Sequence, residues 1–168
     1  MRTIVLPILE ATVCFLKRDG KTLLVDYTGY DHKLHAGYFS PPGGKIDFGE
    51  SKEEAVRREV FEEQGIKVDR LTYRGVIFFN NEKRFFGGAP AKWSFRVHYY
   101  DSRDFDDSVA KSKEGKLAWI VDEEVLNLPM HEGDKIIWGW LKKYQEIDAE
   151  IIHDKEKLVE SKLLAYKE

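Results

Sequence analysis

Glu59, Glu62 and Glu63 are the residues of this chain best spaced to do chemistry together. They stand at i, i+3 and i+4 within 52–64, a run that reads as a helix. At about 100° per residue they fall within an arc of about 100°, so one helical ridge carries three carboxylates. Like charges at these spacings repel by roughly a few tenths of a kcal/mol per solvated pair, and by more when partly buried. Hard divalent cations offset that cost. Carboxylate oxygens suit Mg²⁺ or Mn²⁺, which keep water and substrate phosphates among their other ligands. A glutamate pair alone on a helix is most often simply solvated. Two features set this ridge apart: its acids face one way instead of interleaving with lysines, and Pro41-Pro42-Gly43-Gly44 upstream lets bare backbone approach a ligand or metal.

The elements that must hold this ridge are marked in the sequence. Ser51 with Glu54 forms a capping box at the helix start, Gly65 supplies a left-handed cap at its end, and Val56 and Val60 can pack inward. Strands are expected at 11–16 and 22–26, joined as a hairpin by an Asp19-Gly20 turn, with a second strand pair at 71–79 and 94–100 and a short strand at 117–121. A second helix is expected at 133–145. The segment 150–166 reads as a hairpin or as a strand followed by a helix, and 101–115 as a long surface loop. No repeat or low-complexity linker interrupts the chain, so the expectation is one mixed α/β domain over residues 1–168.

Composition narrows the partners. The 168 residues carry a formal net charge of −3, which gives no bulk basic field for gripping a long nucleic acid. A single cysteine, Cys14, excludes an internal disulfide framework and a cysteine-based zinc cluster, and its strand context reads as small core filling. Glu10 ends the apolar amino-terminal run well short of a signal-peptide core, and no stretch approaches the ~18 uncharged residues of a membrane helix. The expectation is a cytoplasmic protein, a monomer or homodimer, with a small-molecule partner and no membrane.

Gly44, Glu50 and the run Arg58-Glu59-Val60-Phe61-Glu62-Glu63-Gln64-Gly65-Ile66 fill every fixed position of G-x5-E-x7-R-E-U-x-E-E-x-G-U, where U is aliphatic. The segment therefore resembles the Nudix box, and the flanking strands resemble the Nudix α/β/α sandwich with its mixed central sheet. That resemblance implies hydrolysis of a diphosphate linkage with Mg²⁺, or Mn²⁺ in its place. It implies that Glu59, Glu62 and Glu63 ligate metal together with the Gly43 carbonyl, that Arg58 pairs with Glu50 or Glu62 and orients it, and that Lys45 lies near the phosphates. Members often add an acid from outside the box, in a Lys-Glu-Gly segment before a tryptophan-bearing strand. Lys113-Glu114-Gly115-Lys116-Leu117-Ala118-Trp119 matches, so Glu114 is implied as that ligand or base.

The segment Pro129-Met130-His131-Glu132-Gly133-Asp134 resembles the late region of oxidised-purine nucleotide hydrolases, where a tryptophan stacks on the base and an acid bonds its edge. Asp134 matches the acid. His131 stands where the tryptophan would be, and Ser40 where an asparagine often contacts the purine. A histidine ring can also stack on a base, over less area. Trp138 and Trp140 read as filling, not as base platforms. The expected reaction is conversion of a nucleoside triphosphate, such as 8-oxo-dGTP, to monophosphate and pyrophosphate. The alternatives are a nucleotide sugar, a dinucleotide polyphosphate or a nicotinamide dinucleotide as substrate, and a catalytically silent nucleotide-binding regulator.

Overall fold

The computed structural model describes residues 7–31, 35–83, 85–86, 89–90, 93–155 and 157–168, the side chains of 82–90 excepted. Strands run at β1 (Ile8–Arg18), β2 (Lys21–Asp26), β3 (Phe39–Ser40), β4 (Gly43–Lys45), β5 (Lys67–Lys83), β6 (Phe85–Phe86), β7 (Ala89–Pro90), β8 (Ser94–Asp106), β9 (Lys116–Val121), β10 (Glu146–Asp154) and β11 (Lys157–Lys167). The helices are α1 (Lys52–Gln64) and α2 (Glu132–Lys143), with a 3₁₀ turn at Asp122–Asn127. Among the described residues, the main sheet runs β11-β10-β5-β8-β1-β2-β3, with β4 added to β1 and β9 to β2. It is mixed: β1 lies parallel to β8 and β10 parallel to β5, while the other pairings are antiparallel.

The expected first hairpin forms only at its tip, where Lys17 faces Thr22 and Arg18 faces Lys21. Asp19 (φ 51°) and Gly20 (φ 71°) both take positive φ, as a two-residue hairpin turn requires. Beyond the tip the strands part. The first half of β1 instead pairs with β4, placing Ala11 opposite Lys45, Thr12 opposite Gly44 and Val13 opposite Gly43.

Alternation along β1 sorts the core into two layers. Cys14 and Leu16 face Val56 and Val60 of α1, together with Ile66 and Tyr100. Phe15 faces Ile137, Trp138 and Leu141 of α2, together with Val97, Tyr99 and Ile151. Helices therefore cover opposite faces of the sheet, which is the expected α/β/α sandwich. Ile137 and Leu141, almost wholly removed from water, add roughly 1.5–3 kcal/mol each. Arg74 of β5 fastens the end of α2 by donating to the carbonyls of Leu141, Tyr144 and Gln145, and it pairs with Asp101.

Two expectations need adjusting. The segment 101–115 is not all loop: β8 continues to Asp106, because Ser102 Oγ donates to the Arg70 carbonyl and Asp101 meets Lys17 and Arg74 at the sheet surface. Asp101 and Ser102 are paired there, while Arg103, Asp104 and Asp106 stay exposed on the strand. The carboxyl-terminal segment is the hairpin β10–β11, with no helix, and it begins at Glu146.

Candidate active site

β4 and α1 bring the acidic ridge against β1. Ser51 Oγ accepts from the Glu54 amide and the Glu54 carboxylate accepts from the Ser51 amide, so the expected capping box is complete. Gly65 (φ 68°) closes the helix by donating to the Phe61 carbonyl. The loop ahead of α1 is stitched to β1 by two further amides: Cys14 donates to the Pro42 carbonyl, and Ile46 to the Glu10 carbonyl, both at 3.0 Å. The packing there leaves no room for side chains. A Cβ on Gly43 would lie 2.1 Å from the Thr12 carbonyl oxygen, and one on Gly44 would lie 2.4 Å from Cδ of Glu59.

Arg58 is the hub of the ridge. Its Nε and Nη2 donate to the two oxygens of Glu50 at 2.7 and 2.9 Å, and its Nη1 donates to Glu59 at 2.8 Å and to Glu62 at 3.3 Å. A further bond from Nη2 reaches the Lys45 carbonyl. Both expected partners of Arg58 are thus engaged, and Glu59 is a third. The guanidinium beside Glu50 holds that carboxyl down at about 2. Bidentate arginine–carboxylate pairing of this kind fixes direction as well as charge.

Glu63 lies outside Arg58's recorded reach and behaves oppositely. Burial pushes its carboxyl up to about 7, and the nearby charges of Glu114 and Glu59 push the same way. Glu114 is brought there by the loop after β8, whose Lys111 and Lys113 amides donate to the carbonyls of Gln64 and Glu63 at the end of α1. Ser112 Oγ accepts from the Glu114 and Gly115 amides. Sequence reasoning had no sign of Tyr27, whose hydroxyl donates to Glu114 Oε2 at 3.2 Å across 87 positions.

Because the Glu63 carboxyl is raised, the folded chain holds its proton up to about 7, while the unfolded chain loses it near 4.5. Between those values the folded state binds more protons, so stability falls as pH rises. We therefore expect the melting temperature of metal-free Glu63→Gln, measured against wild type, to climb from pH 4.5 to 7 and then level off. A difference that stays flat across that range refutes the coupling.

The residues expected to contact a base, Ser40, His131 and Asp134, gather at the junction of β3 and α2. The Phe39 amide donates to the Pro129 carbonyl at 2.8 Å, which brings Ser40, buried on β3, next to the approach to α2. His131 stands at the N-cap of α2, with Asp134 in the first turn. Tyr38 stacks on His131 with ring centroids 4.3 Å apart, and His35 Nδ1 lies 3.3 Å from His131 Nε2. Burial lowers the His35 pKa. His35 and Tyr38 carried no motif signal. His32 and the side chains of Phe85 and Phe86 lie outside the described residues, whereas Phe79 and Trp140 pack against the core and Trp138 is inside it. Lys45 is exposed beside the ridge.

The NUDIX domain model matches residues 7–152. The chain belongs to the Nudix family. It is 34% identical over 136 residues to the uncharacterised Nudix hydrolase YvcI of Bacillus subtilis, covering 81% of this chain and 80% of that one. It is 32% identical over 103 residues to the oxidised purine nucleoside triphosphate hydrolase of Danio rerio, covering 61% of each. The crystal structure of a MutT protein from Bacillus halodurans superposes with a TM-score of 0.75 at 26% identity, over 93% of this chain and 97% of that one. As a Nudix hydrolase the chain is an enzyme of phosphoanhydride bonds, and Nudix hydrolases generally need divalent metal ions. No helix among the described residues is long and apolar enough to cross a membrane.

Among the described residues, no three acidic, histidine or cysteine side chains already converge in a chelating arrangement. The chemistry of the acidic ridge nevertheless fits a hard dication. All its donors are oxygens, Arg58 supplies the countercharge to Glu50, Glu59 and Glu62, and Glu63, raised by burial and further by the Glu114 and Glu59 charges, is a carboxyl whose anion a cation would stabilise.

Proposed function

We propose that this Nudix hydrolase is a Mg²⁺-dependent pyrophosphohydrolase that converts a nucleoside triphosphate, an oxidised purine such as 8-oxo-dGTP, to its monophosphate and pyrophosphate. The observation that carries this reading is the ridge of Glu59, Glu62 and Glu63 with Glu114 closing on Glu63 from a separate loop. The substrate class is supported by the Danio rerio relative's name and by the His131–Tyr38 stack with Asp134 one helical turn on.

Glu59, Glu62, Glu63 and Glu114, with the Gly43 carbonyl, would hold Mg²⁺ or Mn²⁺. The bound ion supplies charge neutralisation for phosphate oxygens and lowers the pKa of water. Arg58 keeps Glu59 and Glu62 directed to one side of the helix while Glu50 anchors the guanidinium. Water attacks one phosphorus of the cleaved linkage, the P–O bond to the bridging oxygen breaks with its electron pair leaving on the departing pyrophosphate or nucleotide, and a carboxylate takes the proton of the attacking water. Lys45 meets the phosphates. Tyr38 with His131 stacks on the base, and Ser40 and Asp134 bond its edge.

A panel of 8-oxo-dGTP, dGTP, other triphosphates, a nucleotide sugar, a dinucleotide polyphosphate and NADH, with and without Mg²⁺, tests this. Pyrophosphate release should require Mg²⁺ and be fastest with 8-oxo-dGTP. His131→Ala and Asp134→Asn should each raise KM for that substrate about tenfold with little change in kcat, as the loss of a stacking or edge contact does. Faster turnover of a nucleotide sugar or dinucleotide would overturn the substrate, and nucleotide binding without hydrolysis would overturn catalysis.

A further inference from the structure

Tyr27 follows β2 directly and is the corner from which the next loop departs. Its amide donates to the Tyr38 carbonyl at 3.0 Å, and its carbonyl accepts from Tyr30 and Gly37. Only 5% of its surface is exposed. Its ring meets two others, Tyr30 at 6.3 Å and His35 at 5.6 Å, and His35 in turn contacts His131. Its hydroxyl points the other way, to Glu114 Oε2 at 3.2 Å. One side chain thus touches both the aromatic group at β3–α2 and the acid that joins the ridge from outside.

Backbone geometry shows why such a prop is useful. Glu114 lies on a loop, not on a helix or strand. The following residue sits so close to β2 that a Cβ on Gly115 would fall 2.7 Å from the Asp26 carbonyl oxygen. The main chain at Glu114 is therefore positioned, but a glutamate has three rotatable bonds beyond it and faces Glu63, a like charge. Repulsion alone would turn the carboxylate away. A phenol is neutral, does not compete with a cation for the carboxylate as lysine or arginine would, and donates one hydrogen bond of fixed direction.

We propose that Tyr27 is a positioning residue that holds the Glu114 carboxylate toward Glu63 and so sets the affinity of the ridge for its dication. The proposal rests on the functional reading above, since it takes Glu114 as a ligand of that ion. Tyr27 acts through Glu114 and touches no reacting atom. Outer groups that orient a ligand typically contribute 10- to 100-fold in metal affinity.

Tyr27→Phe removes only the hydroxyl and leaves the ring contacts and all three backbone bonds in place. Mn²⁺ uptake, followed by electron paramagnetic resonance or calorimetry without substrate, should weaken about tenfold. With a triphosphate, the Mg²⁺ needed for half-maximal rate should rise and kcat fall while KM for the nucleotide stays put. In a Glu114→Ala background the same Tyr27→Phe change should do nothing further, because the two groups act as one unit. A wild-type Mn²⁺ titration for Tyr27→Phe, or an undiminished effect in the Glu114→Ala background, would overturn the assignment. A wild-type chain that takes up no Mn²⁺ would overturn this assignment and the functional reading together. One that takes up Mn²⁺ but hydrolyses no triphosphate would overturn the substrate alone, with the titration still deciding Tyr27.

Discussion

Glu62→Gln and Glu63→Gln should each lower Mg²⁺-dependent pyrophosphate release by roughly two to three orders of magnitude, the scale on which preplaced charge stabilises a transition state. Glutamine keeps the size and shape of the side chain and removes its charge. The fold should survive both changes, for different reasons. Glu62 is well exposed and meets Arg58 through a 3.3 Å bond, so little packing is disturbed. Glu63 is held at an unfavourable charge, so its neutral isostere should melt no lower than wild type in metal-free buffer at neutral pH. Kinetic assays paired with thermal melts separate the two effects. Wild-type turnover in either variant would show that the acid in question holds no metal.

Gly43→Ala should be the most damaging small change in the loop before α1. The added Cβ would stand 2.1 Å from the Thr12 carbonyl oxygen and 2.9 Å from Cα of Val13. Those are backbone atoms of β1, and no rotamer change relieves them. β4 would have to lift from β1, losing the Val13 register and straining the Cys14–Pro42 bond. A loss of about 1–3 kcal/mol is expected, as for overpacked interiors. Turnover should fall about a hundredfold, since a displacement near 1 Å at a reacting centre costs that much. Gly44→Ala provides the contrast. Its Cβ meets the end of the Glu59 side chain, which can swing aside, so stability should change little while turnover drops. Denaturant melts and pyrophosphate release on both variants test the pair, and equal stability losses in the two would contradict it.

The acidic ridge was legible because it is local. Capping box, helix, left-handed glycine and inward valines all lie within a few residues of one another, and each has its own steric or hydrogen-bonding signature. The two-layer core could be read from the alternation of β1 and from the apolar positions of α2. What stayed hidden depends on distant pairing. Tyr27 looks like the end of a strand until the loop carrying Glu114 folds against it. His35 lies against His131, 96 positions away. His98 sits between Glu10 and the Tyr73 hydroxyl, 88 and 25 positions away. The polar stretch 101–106 continues as strand because its partners, Lys17, Arg70 and Arg74, come from other strands.

The parallel alignment of β1 with β8 also fixes an order of assembly. Glu10 and His98, which meet across that pair, are 88 positions apart, and the box with all its acids is synthesised between them. During translation those acids emerge before the strand that completes the far flank of β1. Closing so large a span is entropically costly and slow compared with making a helix or a tight hairpin. A chain ended before β8 would therefore hold every residue of the box but neither Glu114 nor a closed sheet, and hydrolytic competence should arrive late, near the end of synthesis.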